Sequence, residues 1–199
     1  MPLDASILKV VDRLPAMLAA VERLTSADVL VGVPAPKAPR RAGIVTNAML
    51  AAIHENGSPA QNIPARPFIR PGIMKIRARA VAMMRQGAKD AVLGKPVDPR
   101  VILERVGMLA RNAVVEAITD PEPPFVPIGQ ATIRARLRRT AAGRRILRSA
   151  KQRSEAYNAT HTRSSLPVSS ALTTLTAGME FKPLIDTGQL RASIGYIVR

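Results

Sequence analysis

Residues 71–96 read PGIMKIRARAVAMMRQGAKDAVLGKP, and this stretch decides the fold. Ile73, Ile76, Ala80, Met84, Gly87 and Ala91 share one helical face, while Lys75, Arg79, Arg85 and Lys89 fall off it. Pro71 suits the first turn, where the N–H that proline lacks would have no intrahelical partner. Gly94-Lys95-Pro96 ends the pattern. A long helix with one apolar face must bury that face on another element, so helix packing is the basis of the domain.

The flanking segments extend the same reading. Asp98 is placed to cap a second helix, with Pro99 at its first position. Leu103, Val106, Leu109, Ala110, Ala113, Val114 and Ala117 give that helix a broad apolar face through about Ile118. Upstream, VTNAMLAAIHE (45–55) is expected to form a shorter helix stopped at Asn56-Gly57. An amphipathic helix is expected over 5–24, carried by Ile7, Val11, Leu14, Leu18 and Val21 and kinked or shortened by Pro15. VLVGVP (29–34) and IGYIVR (194–199) are β-like.

Between these elements, SPAQNIPARPFIRPG (58–72) holds four prolines and cannot be helical, because each removes a donor and makes its predecessor extended. APKAPRRAG (35–43) is a Pro- and Arg-rich loop, and DPEPPFVP (120–127) breaks the chain again. HTRSSLPVSSALTTLTAG (161–178) is Ser/Thr-rich and reads as loop or weak strands. The expected class is α+β, with long amphipathic helices on a small antiparallel sheet and extended Pro-rich and basic arms. The expected organisation is one domain over 1–199, with an arm at 34–44 and a basic variable insertion at about 120–181.

Composition narrows the function. The chain has 199 residues and no cysteine, which removes disulfides, thiol nucleophiles and cysteine metal sites. Aromatic residues are 3% of it, so the core is built from Ala, Leu, Ile, Val and Met. The net charge of +16 calls for a polyanionic partner, either nucleic acid or acidic subunits of an assembly. No stretch is apolar enough to span a membrane, and MPLDASILKVVDR lacks the pattern of a signal peptide, so residence in cytoplasm is expected.

Asp186-Thr187-Gly188 spells the active-site tripeptide of aspartic proteases. That chemistry needs two carboxylates sharing a proton, and the sequence has no second copy. The expected role is structural, with Asp186 as a helix N-cap and Gln189 completing a capping box. His54-Glu55 lacks the second histidine of a zinc-protease helix, because Ser58 stands there, so His54 is expected at a helix end as a cap or dipole partner. The glycines form neither a Walker loop nor a dinucleotide fingerprint. The expectation is a non-enzyme with no cofactor and no metal.

The stretch 132–153, TIRARLRRTAAGRRILRSAKQR, carries nine Lys/Arg and no acid. Two readings stand. It is a solvated, partly helical face, or it contacts phosphates or an acidic partner through Arg134, Arg136, Arg138, Arg139, Arg144, Arg145 and Arg148. Interleaved aromatics are absent until Tyr157, so a nucleic-acid contact would be electrostatic and blind to sequence.

Two blocks carry a family resemblance. AAIHENGSPAQNIPARPFIRPGI (51–73) resembles the first signature of small neck and tail-completion proteins of tailed bacteriophages, and KPLIDTGQLRASIGYIV (182–198) resembles their second. These families include the virion-morphogenesis and minor tail protein Z groups of lambda-like and Mu-like phages. The chain departs from them at Asn56, where an aromatic is common, and in its longer, more basic middle. Related proteins also continue with further strands beyond the place of Arg199.

The resemblance implies a non-catalytic α+β subunit of a ring, hexameric or dodecameric, in the virion neck or tail end, assembled in host cytoplasm. The implied partners are further copies, head-side connector or adaptor proteins, tail terminator or tube proteins, and genomic DNA in the channel, with no membrane. On that reading Arg66, Pro67, Phe68, Ile69, Arg70, Asp186, Thr187, Gly188, Leu190 and Arg191 are subunit-interface candidates. Phe68 and Ile69 would be apolar anchors and Arg66 and Arg70 charged donors. The alternative for this stretch is a loop that packs Phe68 into the subunit's own core. The alternative function is sequence-nonspecific nucleic-acid binding through 132–153.

Overall fold

The computed structural model describes residues 15, 18, 19, 22, 26–37, 39, 44–93, 95, 97–162 and 164–199. Among these residues the helices are α1 (Asn47–Asn56), α2 (Ile69–Val92), α3 (Pro99–Thr119), α4 (Gln130–Arg138), α5 (Ala141–Thr160), α6 (Val168–Leu175) and α7 (Gln189–Ser193). The strands are β1 (Val29–Gly32) and β2 (Gly195–Val198). The chain is therefore mostly helical with a two-stranded antiparallel sheet, in keeping with α+β. The helix expected over 5–24 lies outside the described residues apart from isolated positions. Of the arm at 34–44, only Pro34–Lys37, Pro39 and Ile44 are described, with a single 3-10 turn at Ala35–Lys37.

The chain forms two compact units: Met1–Pro124 with Thr187–Arg199, and Phe125–Asp186. In the first, β1 and β2 pair with Val29 opposite Val198 and Gly32 opposite Gly195. Asp28 and Arg199 prolong the ladder by exchanging both backbone hydrogen bonds, at 2.7 and 3.0 Å. A two-stranded ribbon is marginal alone. Here it packs on α3, where the Tyr196 ring covers Gly107 so closely that no side chain fits there.

Helices α2 and α3 form an antiparallel hairpin, with Gly72 against Val114 and Gly87 against Ile102. A Cβ on Gly72 would stand 2.8 Å from the Val114 Cα, so the two backbones meet where a side chain would separate them. Asp98 caps α3 as expected, accepting the Arg100 N–H at 2.9 Å, with Pro99 at the first position. The α3 face is also as read: Leu103, Val106, Ala110, Ala113, Val114 and Ile118 are buried.

The expected face of α2 needs correction. Gly72, Gly87 and Ala91 are buried, but Ile73 and Met84 are exposed, with Met74 and Val81 beside them. Periodicity identifies the apolar half of the helix. The close approach at the two glycines selects which edge of that half meets α3, and the Ile73–Met84 edge is left outside.

In the second unit α4, α5 and α6 enclose Ile133, Leu137, Ala150, Ala171 and Leu172, with Ile146, Leu147 and Phe181 packed around them. Thr140 caps α5 by accepting the Gly143 N–H at 3.0 Å. The loop or weak strands expected over 161–178 are overturned in part, because Val168–Leu175 is the helix α6. Ala171, Leu172 and Leu175 follow helical spacing towards the core, and the hydroxyls of Thr173, Thr174 and Thr176 bond to carbonyls four residues back. Those bonds let a Ser/Thr-rich stretch remain helical.

Candidate functional site

The block at 51–73 is built around one carboxylate. Glu55, in the last turn of α1, accepts the backbone N–H groups of Phe68 at 2.8 Å, Ile69 at 2.9 Å and Arg70 at 2.9 Å. These are the leading orphan donors of α2. Position 71 is proline and has no N–H, and the Gly72 N–H already reaches the Phe68 carbonyl at 3.2 Å. Every donor in the first turn is thereby accounted for. Phe68 at the N-cap offers no side-chain acceptor, so the cap arrives from thirteen residues upstream. A carboxylate there also meets the positive end of the helix dipole.

The loop between α1 and α2 is shaped for this contact. Gly57 takes φ 77° at the end of α1, and Asn62 takes φ 56°. Ser58 and Ile63 exchange backbone hydrogen bonds at 2.9 and 3.0 Å around the 3-10 turn Pro59–Gln61. The Arg66 N–H then donates to the His54 carbonyl at 2.6 Å. His54 does sit at a helix end, but its ring is half-buried. Burial, with the Arg66 guanidinium second, holds the imidazole below its ordinary value of 6.5. A lowered pKa disfavours the cationic ring, which weakens any pairing of His54 with the helix dipole.

These contacts redistribute the interface candidates. Phe68 is 0% exposed and Arg66 is buried, so neither is presented to a neighbour. Phe68 lies in the core of the chain itself, the alternative weighed above. Pro67 and Arg70 are exposed and Ile69 is half-buried. In the second block Thr187 and Arg191 are exposed, Gly188 is half-buried and Leu190 is buried. Helix α7 packs on α1, so residues from both blocks, separated by more than a hundred positions in sequence, meet in the first unit.

Asp186 is not the cap of α7. Gly188 occupies that position in the left-handed region at φ 74°, and no side-chain cap is made. Asp186 instead accepts a hydrogen bond from the Arg139 guanidinium, and the Arg136 Nε lies 3.7 Å from its other oxygen. Arg136 in turn donates to the carbonyls of Lys182 at 2.8 Å, Pro183 at 2.8 Å and Ile185 at 3.1 Å. The tripeptide's acid is thus the anchor of an arginine-stapled turn in the second unit.

The remaining arginines of the basic stretch divide by burial. Arg134 is half-buried, whereas Arg138, Arg144, Arg145 and Arg148 are exposed. Among the described residues no carboxylate pairs with any of those four. Lys151 continues the exposed face and lies 3.6 Å from Glu155. The first unit adds a cleft of about 690 Å³ between α2 and α3, lined by Met83, Val97, Val101 and Ile102 with Arg79 and Arg105 among its charged residues. Among the described residues no three His, Cys, Asp or Glu side chains cluster as metal ligands. Also among them, no helix is long and apolar enough to cross a membrane.

Glu55 and Lys151 were missed by sequence reasoning. The signal for Glu55 was a helix start without Ser, Thr, Asp or Asn at its cap, which requires an acceptor from elsewhere. No protein-family model, curated protein or solved structure matches the chain.

Proposed function

We propose that this protein is a structural component of a tailed-phage virion, forming a ring at the neck or tail end that joins the head connector to the tail and leaves a passage for DNA. The observation that carries the proposal is the packing of α7, from the second block, on α1, from the first. The Glu55-capped start of α2, helix α1 and helix α7 belong to one unit, as expected if both blocks serve one role in assembly. In this reading the chain acts by binding, without catalysis or cofactor.

The surface for self-association is the exposed apolar edge of α2, formed by Ile73, Met74, Val81 and Met84. Pro67, Arg70, Thr187 and Arg191 are further exposed contacts on the same unit. Electron microscopy of particles made without this protein tests the proposal. Separate heads and tails, or defective tail ends, are expected, and normal infectious particles would refute it.

A further inference from the structure

We infer that the outer face of α5 is a duplex-binding ridge that grips nucleic-acid phosphates without reading sequence. The inference rests on the second unit and does not depend on the ring. Phe125–Asp186 contains eleven Lys/Arg against three acids, and the fold sorts them. The inward side of α5 is marked by buried Gly143, Ala150 and Ser154. Arg144, Arg145, Arg148 and Lys151 are thereby held on the exposed side, with the exposed Glu155 3.6 Å from the Lys151 ammonium at the end of the row.

Arg145 to Lys151 spans about 9 Å of helix axis at 1.5 Å per residue. Duplex DNA carries one charge per about 1.7 Å, so about five phosphate charges lie within that length. The positions between the cations, Ser149 and Gln152, are exposed and polar. An interface with an acidic protein ordinarily needs an aromatic or aliphatic anchor at its centre, and this ridge offers none. Phosphate contact needs none either.

A fluorescently labelled duplex titrated with the full chain across a salt series tests this. Because any chain of charge +16 attracts DNA at low salt, two variants of equal charge are compared. One carries Arg145→Gln, Arg148→Gln and Lys151→Gln. The other carries Arg77→Gln, Arg85→Gln and Lys89→Gln on the exposed side of α2. The ridge variant should bind at least about tenfold more weakly at moderate salt and lose about three from the slope of log affinity against log salt. The α2 variant should lose much less, and two unrelated duplex sequences should bind alike. Circular dichroism should match the parent for both variants, and Arg145→Lys with Arg148→Lys should restore binding if folding is disturbed. Equal losses in the two variants, or binding independent of salt, would each overturn the ridge.

Discussion

The carboxylate of Glu55 receives the N–H of Phe68 at 2.8 Å and, through the same oxygen, that of Ile69 at 2.9 Å. This contact ties residues thirteen positions apart and sets the entry of α2, whose N-cap Phe68 is buried. Glu55→Ala should destabilise the first unit by about 2 kcal/mol, combining a lost cap with a lost charge at the helix N-terminus. Glu55→Gln should lose less, since an amide oxygen still accepts. Urea unfolding of the three proteins checks the order.

Gly72 gives a prediction opposite in sign to helix propensity. Alanine is better than glycine in a helix interior by about 1 kcal/mol. At this site its Cβ would press on the Val114 backbone, and overpacking costs about 1–3 kcal/mol. Gly72→Ala should therefore lower the melting temperature, and Gly72→Val should lower it further.

His54 sets a pH dependence. Its pKa is lowered in the folded state by burial and then by Arg66, so the unfolded chain binds more protons once pH falls below about 6.5. Stability from the neutral ring is complete above that value and declines as pH drops towards the folded pKa. Unfolding free energies measured between neutral and mildly acidic pH should show a fall that is reduced in His54→Gln.

Arg136 and Asp186 should separate in mutational cost. Asp186 and Arg139 are partly exposed, with side chains 37% and 56% accessible, so Asp186→Asn should cost within about 1 kcal/mol. Arg136→Ala strands three carbonyl acceptors and should cost more, about 1–3 kcal/mol. A larger effect at Asp186 than at Arg136 would contradict the stapled turn.

The sequence made α3 legible nearly residue by residue, because its cap, its first-turn proline and its apolar stripe all agree. The α2 edge was misplaced, since two glycines with no apolar signal choose the contact line. Helix α6 was hidden by Ser and Thr, whose hydroxyls can support a helix or oppose one depending on where they bond. Asp186 looked like a cap because Gln189 follows at capping-box spacing. The arginines that hold it lie 47 and 50 positions upstream, a distance that no local pattern reports.

The exposed edge of α2 should govern self-association in the proposed ring. Val81→Glu with Met84→Glu places charges at positions 46% and 38% exposed, so thermal stability should hardly change. Any self-association of the parent seen by light scattering should be lost in this variant.

The most direct test of the central proposal is the position of the protein in the particle. Virions carrying a copy tagged at an exposed site, imaged with a gold-labelled probe, should show label at the head–tail junction or the tail end. Particles that are infectious and complete yet carry no copy of the protein, or carry label only elsewhere, would contradict it.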